Sequence, residues 1–246
     1  MEFVAIDFET ATHDPTSACA VGLAVVRNGR IVTRRAGLFR PPGPEFVFTD
    51  THGITFEDVQ DKPDFSALWP SIFKEIGHMP LAAHNAAFDM RVLCATLQHY
   101  DLPVPDMPCI CTLRLSKKVW PALRSHTLDT VAAHLGLPLN HHEAISDATV
   151  CAQIALLALK RTGCRTVLDM TRKLGLRSDY AARSVSLLQR QQAQRKQSGA
   201  AVEDAAYASA KIKTMPYQED EARIQQTTHQ LAGQLRDLRK RYGLYR

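Results

Sequence analysis

Two carboxylates stand one residue apart near the N-terminus, at Asp7 and Glu9 in the stretch FVAIDFETA. Side chains of an extended strand alternate between its two faces, so Asp7 and Glu9 share one face and their apolar neighbours share the other. The pair is either the solvated face of an ordinary half-buried strand or the start of a functional site, because sites gather at the carboxyl ends of strands. The other acids of the chain decide between these interpretations.

Two further acids follow strand-like stretches later in the chain. Asp89 lies in AAHNAAFDMRVL, in the first turn of a helix for which Asn85 is the predicted N-cap. Asp147 lies in NHHEAISDATV, five residues after His142. Each acid alone is an ordinary helix-dipole residue. If all four acids converge at one sheet edge, they require cations such as Mg²⁺ or Mn²⁺, and a pair of such ions serves phosphoryl transfer.

Three motifs carry a resemblance to a known family. DFET, HNAAFD and HHEAISDA, with HGIT between the first and second, resemble the exonuclease motifs of the DEDDh family, the DnaQ-like 3′–5′ exonucleases. That family includes the proofreading exonuclease subunit of bacterial DNA polymerase III. The resemblance covers about residues 1 to 160. It implies a ribonuclease H-like fold, two divalent metal ions and release of nucleoside monophosphates from a 3′ end.

The resemblance also implies roles for individual residues. Asp7, Glu9, Asp89 and Asp147 match the family's metal-binding carboxylates. Asp7 is expected to bridge both ions, Glu9 and Asp147 to complete the site beside the attacking water, and Asp89 to serve the second ion. His142 matches the general base, a role that an imidazole fills well near neutral pH.

Expectations also follow for four more residues near these motifs. Thr10 and His52 resemble family positions that contact the terminal nucleotide. His141 is adjacent to His142 and could also reach the water, although the spacing to Asp147 favours His142. Phe88 could contact a base, but a helix-start Phe is expected to be a buried core residue.

Composition bounds the class of protein. The 246 residues are 45% hydrophobic, enough for a globular core. No apolar run approaches the length of a membrane span and the charged N-terminus is unlike a signal peptide, so a cytoplasmic protein is expected. The six cysteines form no CxxC pair and are interpreted as reduced thiols. Neither a P-loop nor a GxGxxG motif occurs, which gives no support to P-loop or Rossmann chemistry.

Periodicity predicts an α/β fold. Three strands come first, with Asn28-Gly29 as a type I′ turn in a hairpin. A helix over Asp64–Ile76, the short strand LAAHN and a helix over Ala86–His99 follow. MPCICTL is a further strand, and helices end at Gly136 and Gly163. Together with the resemblance, this predicts a mixed five-stranded sheet flanked by helices.

The C-terminal part differs in charge from the body. Residues 1–160 carry 13 Lys and Arg against 17 Asp and Glu, a net charge of −4, whereas residues 161–246 carry 17 against 8, a net charge of +9. We therefore predict an exonuclease domain over residues 1–165 and a basic, mostly helical extension over residues 166–246. A heptad-like seam from Ile224 to Tyr242 favours packing on the body over pairing with a partner helix.

The predicted activity is that of a two-metal-ion 3′–5′ exonuclease acting on single-stranded 3′ ends, with DNA favoured and RNA left open. A catalytically silent nucleic-acid-binding or polymerase-docking module of the same fold is the alternative. The basic extension is expected either to grip the substrate or to dock a polymerase or another replication or repair protein.

Overall fold

A mixed five-stranded sheet forms the centre of the fold, which a computed structural model describes over residues 1–197. The strands are β1 (Phe3–Thr10), β2 (Ala18–Arg27), β3 (Arg30–Leu38), β4 (Leu81–Ala83) and β5 (Cys109–Cys111). Their order across the sheet is β3-β2-β1-β4-β5. The first three strands pair antiparallel, and β1, β4 and β5 pair in parallel. The predicted mixed sheet is thus confirmed.

Helices cover both faces of this sheet. They are α1 (Thr49–His52), α2 (Phe56–Val59), α3 (Phe65–Ile76), α4 (Ala86–His99), α5 (Thr112–Val119), α6 (Leu128–Leu135), α7 (Ala144–Thr162), α8 (Val167–Lys173) and α9 (Tyr180–Gln197). None of the helices within the described residues is both long and apolar enough to cross a membrane.

The alternation of β1 divides its side chains between two apolar cores. Val4, Ile6 and Phe8 pack in the core formed with α3 and α4. Phe3 and Ala5 pack in the core formed with helices α5 to α8. Asp7 and Glu9 continue the second series, so they emerge on the face that α7 covers.

The hairpin between β2 and β3 has the predicted turn. Asn28 and Gly29 have φ values of 52° and 73°, the positive angles that a type I′ turn requires at both central positions. The turn fixes the register of β2 and β3.

The compact unit that contains the sheet runs from Met1 to Arg190. The boundary predicted at residue 165 rested on the change in composition and charge, yet Val167, Met170 and Tyr180 beyond it are buried in the two cores. Apolar burial at these positions brings α8 and the start of α9 into the unit. The heptad-like seam from Ile224 to Tyr242 lies outside the described residues.

Candidate active site

The acidic end of β1 meets the first turn of α7. Asp7, Glu9 and Asp147 each offer a carboxylate oxygen, and these oxygens lie within 4.8 Å of one another. A register shift between Glu9 and Thr10 marks an irregularity in the pairing of β1 with β2, a feature that often re-aims side chains beside functional sites. Three of the four carboxylates predicted from the sequence therefore converge, from two elements that are far apart in the chain.

The fourth predicted carboxylate, Asp89, reaches the same place from α4. Strand β4 pairs with β1 only at Val4 and Ala5, so near Phe8 the β4 side of β1 has no strand partner, although β2 pairs with the other side. The Phe8 N–H instead donates to Oδ1 of Asp89 at 3.3 Å. Asn85 precedes α4 as predicted, but its side chain makes no capping hydrogen bond, because its backbone lies in the left-handed region at φ = 80°.

Burial raises the pKa of every acid in this group, and repulsion from the other acids adds to this effect for Asp7, Glu9 and Asp89. Burial and then Asp147 and Asp89 raise the pKa of Glu9 to about 8. Burial raises the pKa of Asp89 to about 8, against the lowering effect of the Phe8 N–H. Burial also raises the pKa of Asp147 to about 6, and burial followed by the neighbouring acids raises that of Asp7 well above its usual range.

Two carboxylate oxygens in the group are buried without a hydrogen-bond partner. They are Oδ2 of Asp89 and Oδ1 of Asp147, and no described residue donates to either. Buried acceptors are costly unless satisfied, and buried charges are normally paired or coordinate metals. Hard carboxylate oxygens are the ligands that Mg²⁺ and Mn²⁺ prefer. The donor set therefore fits divalent cations.

His141 and His142 stand beside Asp147, in the loop before α7. Their rings stack with centroids 3.9 Å apart and planes at 14°. The His142 N–H donates to Oδ2 of Asp147 at 3.2 Å, and Nε2 of His141 lies 3.7 Å from the same oxygen. Both histidines thus approach the acids, His142 half-buried and His141 more exposed.

These residues line a cleft of about 450 Å³. Thr10 and His52, the two predicted substrate contacts, also line it. Nε2 of His52 lies 3.2 Å from the Thr10 carbonyl oxygen, and the Ile54 N–H donates to Nδ1 of His52 at 3.1 Å. These partners make Nε2 the protonated nitrogen, so His52 ties the HGIT loop to the end of β1 and presents its ring to the cleft.

The interpretation of Phe88 as a buried core residue is wrong. Phe88 is 43% exposed and lines the cleft. It lies in the first turn of α4, directly before Asp89, which is almost fully buried. Consecutive helical residues point in different directions, so the turn that buries the acid carries the aromatic ring outward over the cleft.

His84 is a cleft residue that sequence reasoning missed. Nδ1 of His84 lies 2.9 Å from the Thr112 hydroxyl, and Nε2 lies 2.9 Å from the His126 carbonyl oxygen. Burial lowers the pKa of His84 to about 4, so it is neutral and Nε2 is the donor. His84 thereby joins the end of β4 to the segment before α6. Thr127 of that segment and Leu128, the first residue of α6, also line the cleft. His84 directly follows the apolar strand LAA, and this position at a strand end is the sequence feature that could have identified it as a cleft residue.

The sequence of the chain is similar to those of known nuclease and DNA polymerase proteins. The family model described as Exonuclease matches residues 4–155. The DNA polymerase III PolC-type protein of Thermotoga maritima is 33% identical over 187 residues, which is 73% of this chain and 14% of that protein. The chain thus spans only a small part of the PolC-type relatives.

Two further matches are closer in size. The DNA polymerase III subunit epsilon of Aquifex aeolicus is 29% identical over 162 residues, which is 64% of this chain and 80% of that protein. The solved structure of Exonuclease X in complex with 5′ overhanging duplex DNA has a TM-score of 0.58 at 25% identity and covers 70% of this chain and 99% of its own. The ribonuclease H-like fold and the resemblance to DEDDh exonucleases are both confirmed.

Proposed function

The chain belongs to the Exonuclease family, and on that premise we propose that it is a metal-dependent 3′–5′ exonuclease acting on single-stranded 3′ ends. The observation that carries this proposal is the set of carboxylate oxygens of Asp7, Glu9 and Asp147 within 4.8 Å of one another in an open cleft. A module that only binds nucleic acid gains nothing from like charges packed at this distance, because they repel both one another and a phosphate backbone.

The four acids are proposed to hold two cations between them. Asp7 is proposed to be shared by both ions, and Glu9 and Asp147 would hold one of them with it. Asp89 would hold the second ion, since its Oδ2 has no hydrogen-bond partner while Oδ1 accepts from the Phe8 N–H. Two bound Mg²⁺ or Mn²⁺ ions supply the charge that stabilises attacking and leaving oxygens in phosphodiester hydrolysis.

His142 is proposed to take the proton from the attacking water. Its backbone is fixed to Asp147, so its ring is held next to the acids that surround the reaction centre. His141 is proposed to support it, because its ring stacks on His142 and its Nε2 faces Oδ2 of Asp147. A base held within reach of water contributes typically about 10² to 10⁴ in rate.

The walls of the cleft suit the last nucleotide of a single strand. Thr10 and His52 are proposed to contact this nucleotide at the end of β1. Phe48 and Phe88 also line the cleft and offer aromatic surface to an unpaired base. Base–aromatic stacking contributes about 1–3 kcal/mol per base and is tolerant of sequence.

DNA is the proposed substrate and a replication or repair polymerase the proposed partner. Support comes from the relatives, which are named as DNA polymerase III proteins. The basic residues 161–246 are proposed either to bind the DNA substrate or to dock the partner protein. These two roles predict different behaviour of the isolated chain.

End-labelled oligonucleotides test the proposed activity. Single-stranded DNA labelled at the 5′ end should yield a ladder of shortened products with Mg²⁺, and DNA labelled at the 3′ end should yield labelled mononucleotide at once. EDTA and Asp7→Asn should abolish both results, whereas Asp106→Asn, which changes an exposed acid outside the cluster, should not. Binding without hydrolysis would instead support the silent module.

A further inference from the structure

Strand β2 and helix α7 approach each other most closely at Gly22. A Cβ added to Gly22 would lie 2.0 Å from the carbonyl oxygen of Ala144 and 2.2 Å from its carbonyl carbon. Both are backbone atoms of the first residue of α7, so no side-chain rotation relieves the overlap. Among the glycines within residues 1–197, only Gly22 would bring a Cβ under 3.0 Å from another atom.

Gly22 is also the cross-strand partner of Asp7. The two residues lie directly opposite each other in the antiparallel pair of β1 and β2, so they share the face that α7 covers. On this face of β2, Gly22 is followed by Ala24 and Val26, both fully buried against the core of α7. The side chains on this face therefore shrink from Val26 through Ala24 to Gly22, the residue opposite Asp7, where the first residue of α7 lies against the sheet.

We propose that Gly22 is a positioning residue for the cation site. By leaving no side chain beneath Ala144, it sets the separation between the sheet and the first turn of α7, and that separation brings Asp147 to Asp7 and Glu9. The inference rests on the proposed function, because it concerns the same acids. It adds a residue that carries no polar side chain and that contacts neither substrate nor cation.

The separation matters because the site tolerates little displacement. Real Cβ atoms do not approach such an atom within 3.0 Å, so a methyl group at Gly22 pushes the first turn of α7 outward by about 1 Å or more. Magnesium demands near-ideal octahedral geometry with oxygen distances of about 2.0–2.1 Å. A shift of about 1 Å in a catalytic group can cost about 10²-fold in rate.

The displacement should be selective. Asp147 and the His142 N–H bonded to it move with α7, whereas Asp89 is held by α4 and the Phe8 N–H. The substrate contacts proposed for Thr10 and His52 lie at the end of β1 and in the HGIT loop. Loss of cation affinity and of kcat, with KM nearly unchanged, is therefore the expected signature.

The test compares Gly22→Ala with Gly37→Ala. Gly37 lies on the neighbouring strand β3, and a Cβ there would meet Cδ2 of Leu68 at 3.0 Å, the flexible end of a side chain. Mn²⁺ affinity is measured by calorimetric titration without substrate, alongside kcat, KM and metal-free unfolding. Gly22→Ala should weaken Mn²⁺ binding about tenfold or more and lower kcat about 10²-fold, and Gly37→Ala should leave Mn²⁺ affinity within about twofold.

A second variant tests the fixed separation even if Gly22→Ala does not fold. Asp147→Glu lengthens the carboxylate by one methylene and should weaken Mn²⁺ binding in the natural background. Where Gly22→Ala folds, the longer side chain should recover part of the affinity in that background, a coupling that a double-mutant cycle detects. Natural Mn²⁺ affinity in either Gly22→Ala or Asp147→Glu would overturn the inference. Absence of Mn²⁺ binding by the unaltered chain would overturn the proposed function instead.

Discussion

The backbone N–H of His142 donates a hydrogen bond to Oδ2 of Asp147 at 3.2 Å. His142 has a φ of 68°, in the left-handed region that residues with a Cβ rarely occupy. The strained backbone turns the loop back onto the helix that follows it. The hydrogen bond therefore couples the proposed general base to one of the proposed cation ligands, and the two move as a unit.

His142→Ala should lower kcat by about 10² to 10⁴, since it removes the proposed base. His141→Ala is the matched control, because it removes the stacked neighbour and the 3.7 Å contact with Asp147 but leaves the His142 ring. We expect a much smaller loss from it. Steady-state rates on single-stranded DNA measure both, and equal losses would remove the assignment of His142.

Neutralising one acid should stabilise the metal-free protein. Asp147→Asn and Asp7→Asn remove repulsion within a group whose pKa values are all raised, so the melting temperature in EDTA should stay equal or rise while nuclease activity disappears. Asp106→Asn controls for the change of charge at an exposed position. Unfolding of the metal-free Asp147→Asn protein at a clearly lower temperature would show that the acid supports the fold.

The stability of the metal-free protein should fall as pH rises. The pKa values of Glu9 and Asp89 are raised to about 8 and that of Asp147 to about 6, so the folded protein holds these protons more tightly than the unfolded chain. This stability is complete below the unfolded values near 4 and is lost as pH rises through the folded values. Thermal unfolding in EDTA across this range measures it.

Glu9→Gln isolates the contribution of one acid to that pH profile, because glutamine does not titrate. Its melting temperature should fall less steeply than that of the unaltered chain up to about pH 8, the folded-state pKa of Glu9. Saturating Mn²⁺ should also flatten the profile, since cations bind the deprotonated acids. Identical slopes for Glu9→Gln and the unaltered chain would mean that Glu9 does not titrate in this way.

Removing residues 191–246 should distinguish the two roles of the basic extension. These residues carry 10 Lys and Arg against 6 Asp and Glu, and the compact unit ends at Arg190. If the extension grips single-stranded DNA, the slope of log K against log salt should become shallower by about 0.7 for each phosphate that the truncated chain no longer neutralises. Affinity should fall and kcat should change little.

The partner-docking role predicts a different outcome for the same pair of proteins. Affinity and salt slope of the isolated chain should then be unchanged by the truncation, and a defect should appear only when the polymerase is added. Binding titrations of both chains across a salt series measure this difference. Identical slopes would rule out a substrate grip by residues 191–246.

The sequence predicts the site well where local patterns are strong. Alternation in β1 places Asp7 and Glu9 on one face, and the helix expected over Ala86–His99 is observed with those bounds. Both are local properties of a strand and of an amphipathic helix. The convergence of Asp147 with them depends on packing, and only the motif resemblance indicates it in advance.

Tertiary packing explains what local patterns did not reveal. Helix α5 is absent from the sequence-based prediction because its eight residues follow β5 without a turn signal. The exposure of Phe88 depends on how α4 is rotated over the cleft. A side chain at Gly22 would overlap Ala144, and these two residues are too far apart in the sequence for a local pattern to reveal the contact.

A metal-rescue experiment tests the central claim most directly, namely that cations held by the four acids contact the scissile phosphate. Sulfur replaces a non-bridging oxygen at the terminal linkage of a single-stranded DNA, in each stereoisomer separately. Both ions prefer oxygen ligands, but Mn²⁺ accepts a sulfur ligand more readily than Mg²⁺ does. We predict that one isomer is hydrolysed at least about tenfold more slowly with Mg²⁺ and that Mn²⁺ restores the rate. An equal effect of sulfur with both ions, in both isomers, would contradict direct contact between the cations and the phosphate.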